Sequence, residues 1–138
     1  MTTVLIDTHV LAWSFIDPDH IARPARAIME SGATIYVPPC ALHEIVLKVR
    51  KGAWDEMAPH AVHLDSLCAA QGFQPAPYTF RMAMLSGSLG WEHRDPFDRM
   101  IAATAIGLGC ALISRDTAFD ALDGHPDWSG RIWSEART

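Results

Sequence analysis

The sequence contains 138 residues, of which 49% are hydrophobic and 20% are charged. This balance is typical of a globular chain and excludes intrinsic disorder, and the length suits a single domain over residues 1–138. The formal net charge of −5 argues against a general nucleic-acid-binding protein, because such proteins normally carry a basic face.

The sequence also predicts the compartment in which the protein works. No apolar run approaches the roughly 20 residues of a membrane span. The opening stretch MTTVLIDTHV lacks the basic segment and the cleavage site of a signal peptide. Cys40, Cys68 and Cys110 are far apart and form no Cys-x-x-Cys pair, which favours free thiols. We therefore expect a cytoplasmic protein without membrane association.

Short apolar runs alternate with helical patterns along the chain, which predicts an α/β fold with a mostly parallel sheet of four or five strands. Strands are predicted at 3–6, 33–37, 73–76, 110–114 and 131–133. Helices are predicted at 9–15, 24–31, 40–51, 54–71, 78–89 and 96–108, with one or two helical turns at 117–122.

Two aspartates follow predicted strands. Asp7 comes directly after the first strand, and Asp116 comes two residues after the strand at 110–114. In an open parallel sheet, ligands bind beyond the carboxyl ends of the strands, so both positions favour a functional role. The alternative role for each is to cap the helical segment that follows it.

Glu44 lies inside the predicted helix at 40–51, on the border of its apolar stripe. Lys48 follows one helical turn later. A functional carboxylate is one interpretation of Glu44. The alternative is an exposed ion pair with Lys48, which would contribute only about 0.3 kcal/mol.

The stretch HRDPFDRMIAATA places two further aspartates at the start of a helix. Asp95 is a suitable N-cap, Pro96 suits the first helical position, and Asp98 lies in the first turn, where the helix dipole favours an anion. Ala102 and Ala105 follow on the same face, with further small residues at 103, 107 and 109. We expect this helix to pack closely on the sheet and to bring Asp98 near the strand ends.

Carboxylates gathered in this way repel one another. At a separation of ~4 Å and an effective dielectric constant near 20, each pair costs about 4 kcal/mol, so protons or cations must occupy the site. Oxygen ligands suit Mg²⁺ or Mn²⁺, and such clusters hydrolyse phosphodiesters. With Asp7, Glu44, Asp95, Asp98 and Asp116 set aside, the remaining 11 acids equal the 11 Lys and Arg residues, so the rest of the surface is balanced.

Several basic residues lie close in sequence to these acids. The candidates for contacts with a phosphate backbone are Lys48, Arg94, Arg99 and Arg115. Their alternative role is that of ordinary solvated charges.

Four motifs, VLIDTHVLAW, ALHEIVLKVRKG, HRDPFDRMIAATA and LISRDTAF, occur in an order and at spacings that resemble the PIN-domain family, and within it the VapC-type toxins of bacterial toxin–antitoxin pairs. The resemblance covers nearly the whole chain. It implies a three-layer α/β/α sandwich and a Mg²⁺-dependent endoribonuclease in which Mn²⁺ can substitute. It also implies a homodimer that is inhibited by a small VapB-like antitoxin bound across the active-site groove.

The resemblance also implies roles for individual residues. The four acids of the family match Asp7, Glu44, Asp98 and Asp116. The three aspartates would anchor the metal, and Glu44 would hold it directly or through water. Asp95 matches an accessory acid beside the metal and would likewise hold it directly or through water.

Two positions around these acids matter for the comparison with the family. Ser114 matches the Ser or Thr that usually precedes the last acid by two residues. The family often has Ser or Thr three residues before the second acid, and here that position is Ala41. A hydroxyl that could orient Glu44 or a metal-bound water is therefore missing at this position.

Two alternatives to a ribonuclease stay open at this point. One is a PIN-like binding module in which Ala41 has weakened or abolished catalysis. The other is a phosphatase with Asp7 as a covalent nucleophile, although such enzymes usually have a second acid two residues later, where this chain has His9.

Overall fold

The computed structural model describes residues 2–134, and a parallel sheet of five strands lies at its centre. The strands are β1 (Thr3–Ile6), β2 (Thr34–Val37), β3 (Gln74–Pro75), β4 (Ala111–Ile113) and β5 (Arg131–Ile132). Every neighbouring pair is parallel, and the order across the sheet is β3-β2-β1-β4-β5. The predicted α/β fold with a parallel sheet is confirmed.

Six α-helices surround the sheet within residues 2–134. They are α1 (Thr8–Ile16), α2 (Arg23–Met29), α3 (Pro39–Arg50), α4 (Leu64–Ala70), α5 (Phe80–Ser88) and α6 (Pro96–Leu108). Short 3₁₀ helices lie at Pro18–His20, Asp55–Met57, Ala61–His63 and Thr117–Leu122. The prediction of one continuous helix over 54–71 is wrong. Pro59 interrupts this stretch, because proline lacks the N–H that a helix interior requires.

Two apolar cores, one on each face of the sheet, make the fold a three-layer α/β/α sandwich. Successive side chains of a strand point to opposite faces, so Val4 and Ile6 of β1 belong to one core and Leu5 to the other. The first core includes side chains of α1, α2 and α3, and the second includes those of α6. This double burial explains why the central strands are continuous apolar runs.

The strand order creates a cleft at one edge of the sheet. After β1, the chain forms α1 and α2 over one face and returns as β2, whereas α6 reaches β4 over the other face. The carboxyl ends of β1 and β4 therefore lie side by side, and the Asp7 N–H donates to the Ile113 carbonyl at 3.2 Å. Such a switch point is where open α/β sheets bind ligands.

Small residues let α6 approach its neighbours. Ala102 and Ala105 are 0% exposed and lie in the second core beside Leu5 of the sheet, as predicted. Gly107 differs from the prediction, because it faces α5 rather than the sheet. A methyl group at Gly107 would lie 2.5 Å from Met82 Cε.

Two further features of the described residues concern the cysteines and the lengths of the helices. Cys40, Cys68 and Cys110 are free. Between residues 2 and 134, none of the helices is both long and apolar enough to cross a membrane.

The close packing of α6 yields a stability prediction. Ala102→Leu adds a bulkier side chain at a fully buried position, and we expect it to lower the free energy of unfolding by about 1–3 kcal/mol. The same change at Ala83, which is exposed on α5, serves as the control. Urea unfolding of both variants measures the difference. Equal stability of the two would contradict close packing of α6.

Candidate active site

Asp7 lies at the end of β1 and is only 6% exposed. As the N-cap of α1, its Oδ1 accepts a hydrogen bond from the Val10 N–H at 2.9 Å. Burial raises the pKa of Asp7 to about 6, and the nearby charges of Asp116 and Glu44 act in the same direction. Asp7 therefore caps α1 and also lies near other acids.

Ser114 connects the acids that follow the two central strands. It is fully buried, and its hydroxyl accepts a hydrogen bond from the Asp116 N–H at 3.0 Å. The same side chain is hydrogen-bonded to the Asp7 carboxylate. Asp116 itself caps the 3₁₀ helix that follows, accepting from the Ala118 N–H at 2.9 Å. One hydroxyl thus sets the relative placement of the two aspartates.

Glu44 projects from α3 and is only 4% exposed. Its Oε2 accepts a hydrogen bond from Lys48 Nζ at 2.7 Å, so the predicted pair exists. The interpretation of Glu44 as an exposed surface charge is wrong, because the carboxylate is buried and influences Asp7. Thr8 Oγ1 donates to Glu44 Oε1 at 2.7 Å. A hydroxyl therefore orients Glu44 although position 41 has none.

Asp95 and Asp98 share the N-terminus of α6. Asp95 is the N-cap, and its Oδ1 accepts from the backbone N–H groups of Phe97 at 2.8 Å and Asp98 at 3.3 Å. The side chain of Asp98 is bonded to His93, whose Nε2 lies 2.7 Å from Asp98 Oδ2. Burial raises the pKa of Asp98 to about 6, despite this hydrogen bond.

His93 was not predicted from the sequence, yet it belongs to the cluster. One ligand atom from each of His93, Asp98 and Asp116 lies within 4.8 Å of the others. The charges of Glu44 and Asp116 act on Asp7, which places all four predicted acids in one electrostatic group. The signal for His93 was its position at the head of the HRDPFDR motif, five residues before Asp98.

An open cleft of about 440 Å³ lies against the cluster. Its lining includes Asp7, Asp116 and the exposed Arg115. The Arg115 guanidinium is 3.2 Å from Nε2 of His20, which ends the 3₁₀ helix after α1. Arg94 is exposed on the loop before α6, and the Lys48 side chain is partly exposed beside Trp54.

Arg99 has a structural role that the sequence analysis missed. Its Nε donates to the carbonyl of Ser86 and its Nη2 to that of Leu89, each at 2.8 Å. Its Nη1 donates to the carbonyls of Trp91 at 2.6 Å and His93 at 3.0 Å. Four of the five guanidinium N–H groups are thus engaged. This side chain therefore holds the loop before α6, and its contact with RNA stays a prediction.

The donor set fits a divalent cation. Among the described residues, the ligand atoms of Asp98, Asp116 and His93 lie within 4.8 Å of one another, and this group does not include Asp7, Glu44 or Asp95. Carboxylate oxygens are ligands that suit Mg²⁺ and Mn²⁺. The raised pKa values of Asp7 and Asp98 show that burial disfavours their negative charge. A cation at this position would offset both burial and mutual repulsion.

The role of Arg99 can be tested through stability. Arg99→Lys removes the planar fork that bonds four carbonyls, and one ammonium group cannot reach all of them. We expect the free energy of unfolding to fall by about 2 kcal/mol or more. Chemical denaturation measures this, with Arg23→Lys at an exposed position as the control. A loss no larger than that of the control would refute the structural role.

The chain is similar to proteins of a known family. The profile of the PIN domain family matches residues 4–125. Ribonuclease VapC22 of Mycobacterium tuberculosis is 29% identical over 119 residues, which cover 84% of this chain and 88% of that protein.

Solved structures show the same fold. A VapBC2 complex of Rickettsia felis, bound to a DNA fragment from its promoter, matches with a TM-score of 0.65 and 16% identity over 96% of this chain and 99% of that one. VapBC-5 of Mycobacterium tuberculosis, from the VapBC family of toxin–antitoxin systems, matches with a TM-score of 0.62 and 18% identity over 96% and 100% of the two chains. Because the family profile spans most of the chain and the fold agrees, the protein belongs to the PIN domain family.

Proposed function

We propose that this protein is a metal-dependent endoribonuclease and the toxin of a VapBC-type toxin–antitoxin pair. The observation that supports the proposal best is the grouping of Asp98 and Asp116, whose ligand atoms lie within 4.8 Å, beside the buried Asp7 at the switch point of a PIN-domain sheet. The relative named Ribonuclease VapC22 supports the ribonuclease activity. The structural neighbours in VapBC complexes support the toxin role.

The metal in this proposal is Mg²⁺, for which Mn²⁺ can substitute. Asp7, Asp98 and Asp116 would anchor it, and Glu44 and Asp95 would hold it directly or through water. When bound, such an ion supplies a polarised water for attack on phosphorus and offsets the negative charge of the transition state. Neither serine nor cysteine is needed as a nucleophile.

The chain itself orients the site in this proposal. Ser114 holds Asp7 and the backbone of Asp116 in fixed relation, which places the two carboxylates for one ion. Thr8 and Lys48 engage the two oxygens of Glu44, so the orientation of this buried carboxylate is fixed. Because these contacts form during folding, the geometry needs little rearrangement when the ligands bind.

The substrate would enter through the cleft beside Asp7 and Asp116. Arg115 lines this cleft, and Lys48 and Arg94 remain candidates for contacts with the RNA phosphates. The negative charge of the site repels RNA unless cations are present, so basic side chains at the rim would guide the backbone towards the acids.

The partners in this proposal are suggested by the structural neighbours, which are VapBC complexes. A VapB-like antitoxin would cover the active-site groove, and the toxin would form a homodimer. The free cysteines suit the reducing cytoplasm in which such a pair would act. The hydrogen bond from Thr8 to Glu44 favours a catalytic site over a disabled binding module, because it orients Glu44 although position 41 has no hydroxyl.

Cleavage of RNA by antitoxin-free protein tests the proposed function. Asp98→Asn and Asp116→Asn keep the shape of the side chains but remove charge from the cluster, and we expect each to lower the Mg²⁺-dependent rate by about 100-fold or more. Asp65→Asn changes an exposed acid on α4 and is the matched control. Fragments are measured with Mg²⁺ and with EDTA.

Two results of this assay would contradict the proposal. One is undiminished cleavage by Asp98→Asn. The other is hydrolysis of a simple phosphomonoester by wild-type protein that leaves RNA intact, which would support the phosphatase alternative.

Metal binding by itself gives a separate prediction. Mg²⁺ or Mn²⁺ should stabilise the folded protein, because the cation offsets repulsion among buried carboxylates that separate on unfolding. At a concentration 100 times Kd, the gain is about 2.7 kcal/mol. Thermal unfolding is compared in MgCl₂, in MnCl₂ and in NaCl of equal ionic strength, which controls for general screening. Equal midpoints in all three salts would favour a binding module without a metal site.

A further inference from the structure

His93 comes from the loop between α5 and α6 and contacts Asp98 at the centre of the site. Its Nε2 lies 2.7 Å from Asp98 Oδ2, and the two side chains are 29% and 20% exposed. When Asp98 is ionised, its carboxylate only accepts hydrogen bonds, so Nε2 then carries the hydrogen and donates it. The bond engages one of the two oxygens and thereby restricts rotation of the Asp98 carboxylate.

The imidazole ring of His93 has a firm support. It stacks on Trp91, with ring centroids 4.7 Å apart and an interplanar angle of 21°. Trp91 in turn lies against Phe119, with centroids 5.5 Å apart, and Phe119 is buried in the second core. The position of the His93 ring is therefore set by a chain of aromatic contacts that ends in the core of the protein.

The backbone of His93 is held as well. Arg99 follows Asp98 directly on α6, and its Nη1 donates to the carbonyls of both Trp91 and His93. The first turns of α6 thus carry the acid and also anchor the loop residue that bonds the acid. An exposed polar contact would not need such an arrangement, which fixes both ends of the His93–Asp98 bond.

We propose that His93 is a positioning residue for the metal site, which holds the Asp98 carboxylate in place beside Asp116 before the cation arrives. This inference rests on the proposed function, because it assumes that Asp98 binds a metal. The hydrogen-bonded carboxylate loses little freedom when the ion binds, so its affinity for the ion is higher.

Direct ligation by His93 is the competing role, since its ring nitrogen lies within 4.8 Å of the ligand atoms of Asp98 and Asp116. The 2.7 Å contact favours the positioning role, because a nitrogen that donates a hydrogen to Asp98 has no lone pair for a metal. The two roles also predict different behaviour of variants and of metals.

Calorimetric titration of RNA-free, full-length protein with Mg²⁺ tests the inference. His93→Ala removes the donor and should raise Kd about 10-fold. His93→Gln places an amide N–H near the position of Nε2 and should restore most of the affinity, whereas His93→Asn places it near Nδ1 and should not. His63→Ala, at an exposed position distant in sequence from His93, is the control.

The outcomes separate the possible roles. Unchanged Mg²⁺ affinity of His93→Ala, or failure of His93→Gln to restore it, overturns the positioning role. So does a loss for Mn²⁺ that is much larger than for Mg²⁺, because imidazole ligation favours Mn²⁺.

Two further readings complete the test. Urea unfolding in EDTA measures the stability of His93→Ala without metal. Lower stability of this variant together with unchanged Mg²⁺ affinity would indicate a purely structural role of His93 and would also overturn the proposal. Absence of Mg²⁺ binding by wild-type protein overturns the metal-dependent function itself, whereas binding by wild type with no effect of His93→Ala overturns only this inference.

Discussion

The constraint on which this structure depends is the mutual repulsion of carboxylates gathered at one edge of the sheet. Asp7 and Glu44 are almost fully buried, and burial raises the pKa of both Asp7 and Asp98 to about 6. A fold selected for stability alone would not bring these charges together. The neighbouring donors Ser114, Thr8, Lys48 and His93 offset part of the repulsion, each through a bond to one of these acids. The repulsion that remains favours the binding of a cation.

The fold brings the acids together through the direction of its strands and the closeness of α6. Parallel strands end at the same edge, so Asp7 and Asp116 become neighbours although they are far apart in sequence. The alanines of α6 let this helix lie close to the sheet, and Asp98 in its first turn reaches the same edge. Arg99 then ties the preceding loop to α6, which places His93 over the acids.

Much of this could be predicted because it depends on local chemistry. Apolar runs, helix caps and glycines predicted the five strands and most helices, and Asp95 caps α6 as its motif indicates. The errors have a different origin. The pattern at 54–71 is apolar enough for a helix, but Pro59 divides it. The spacing of Glu44 and Lys48 suggested an exposed ion pair. Spacing along a helix does not reveal whether the Glu44 side chain faces solvent or the interior of the protein.

The sequence by itself determined the fold class, the family and which acids follow the strands, because these depend on periodicity, capping and motif spacing. Only the tertiary structure decided what each polar group bonds. Thr8 bonds Glu44 although position 41 has no hydroxyl, and Arg99 binds four backbone carbonyls. His93 meets Asp98 through a loop whose path local sequence does not specify. Such contacts join residues from different elements, and their partners exist only after the chain has folded.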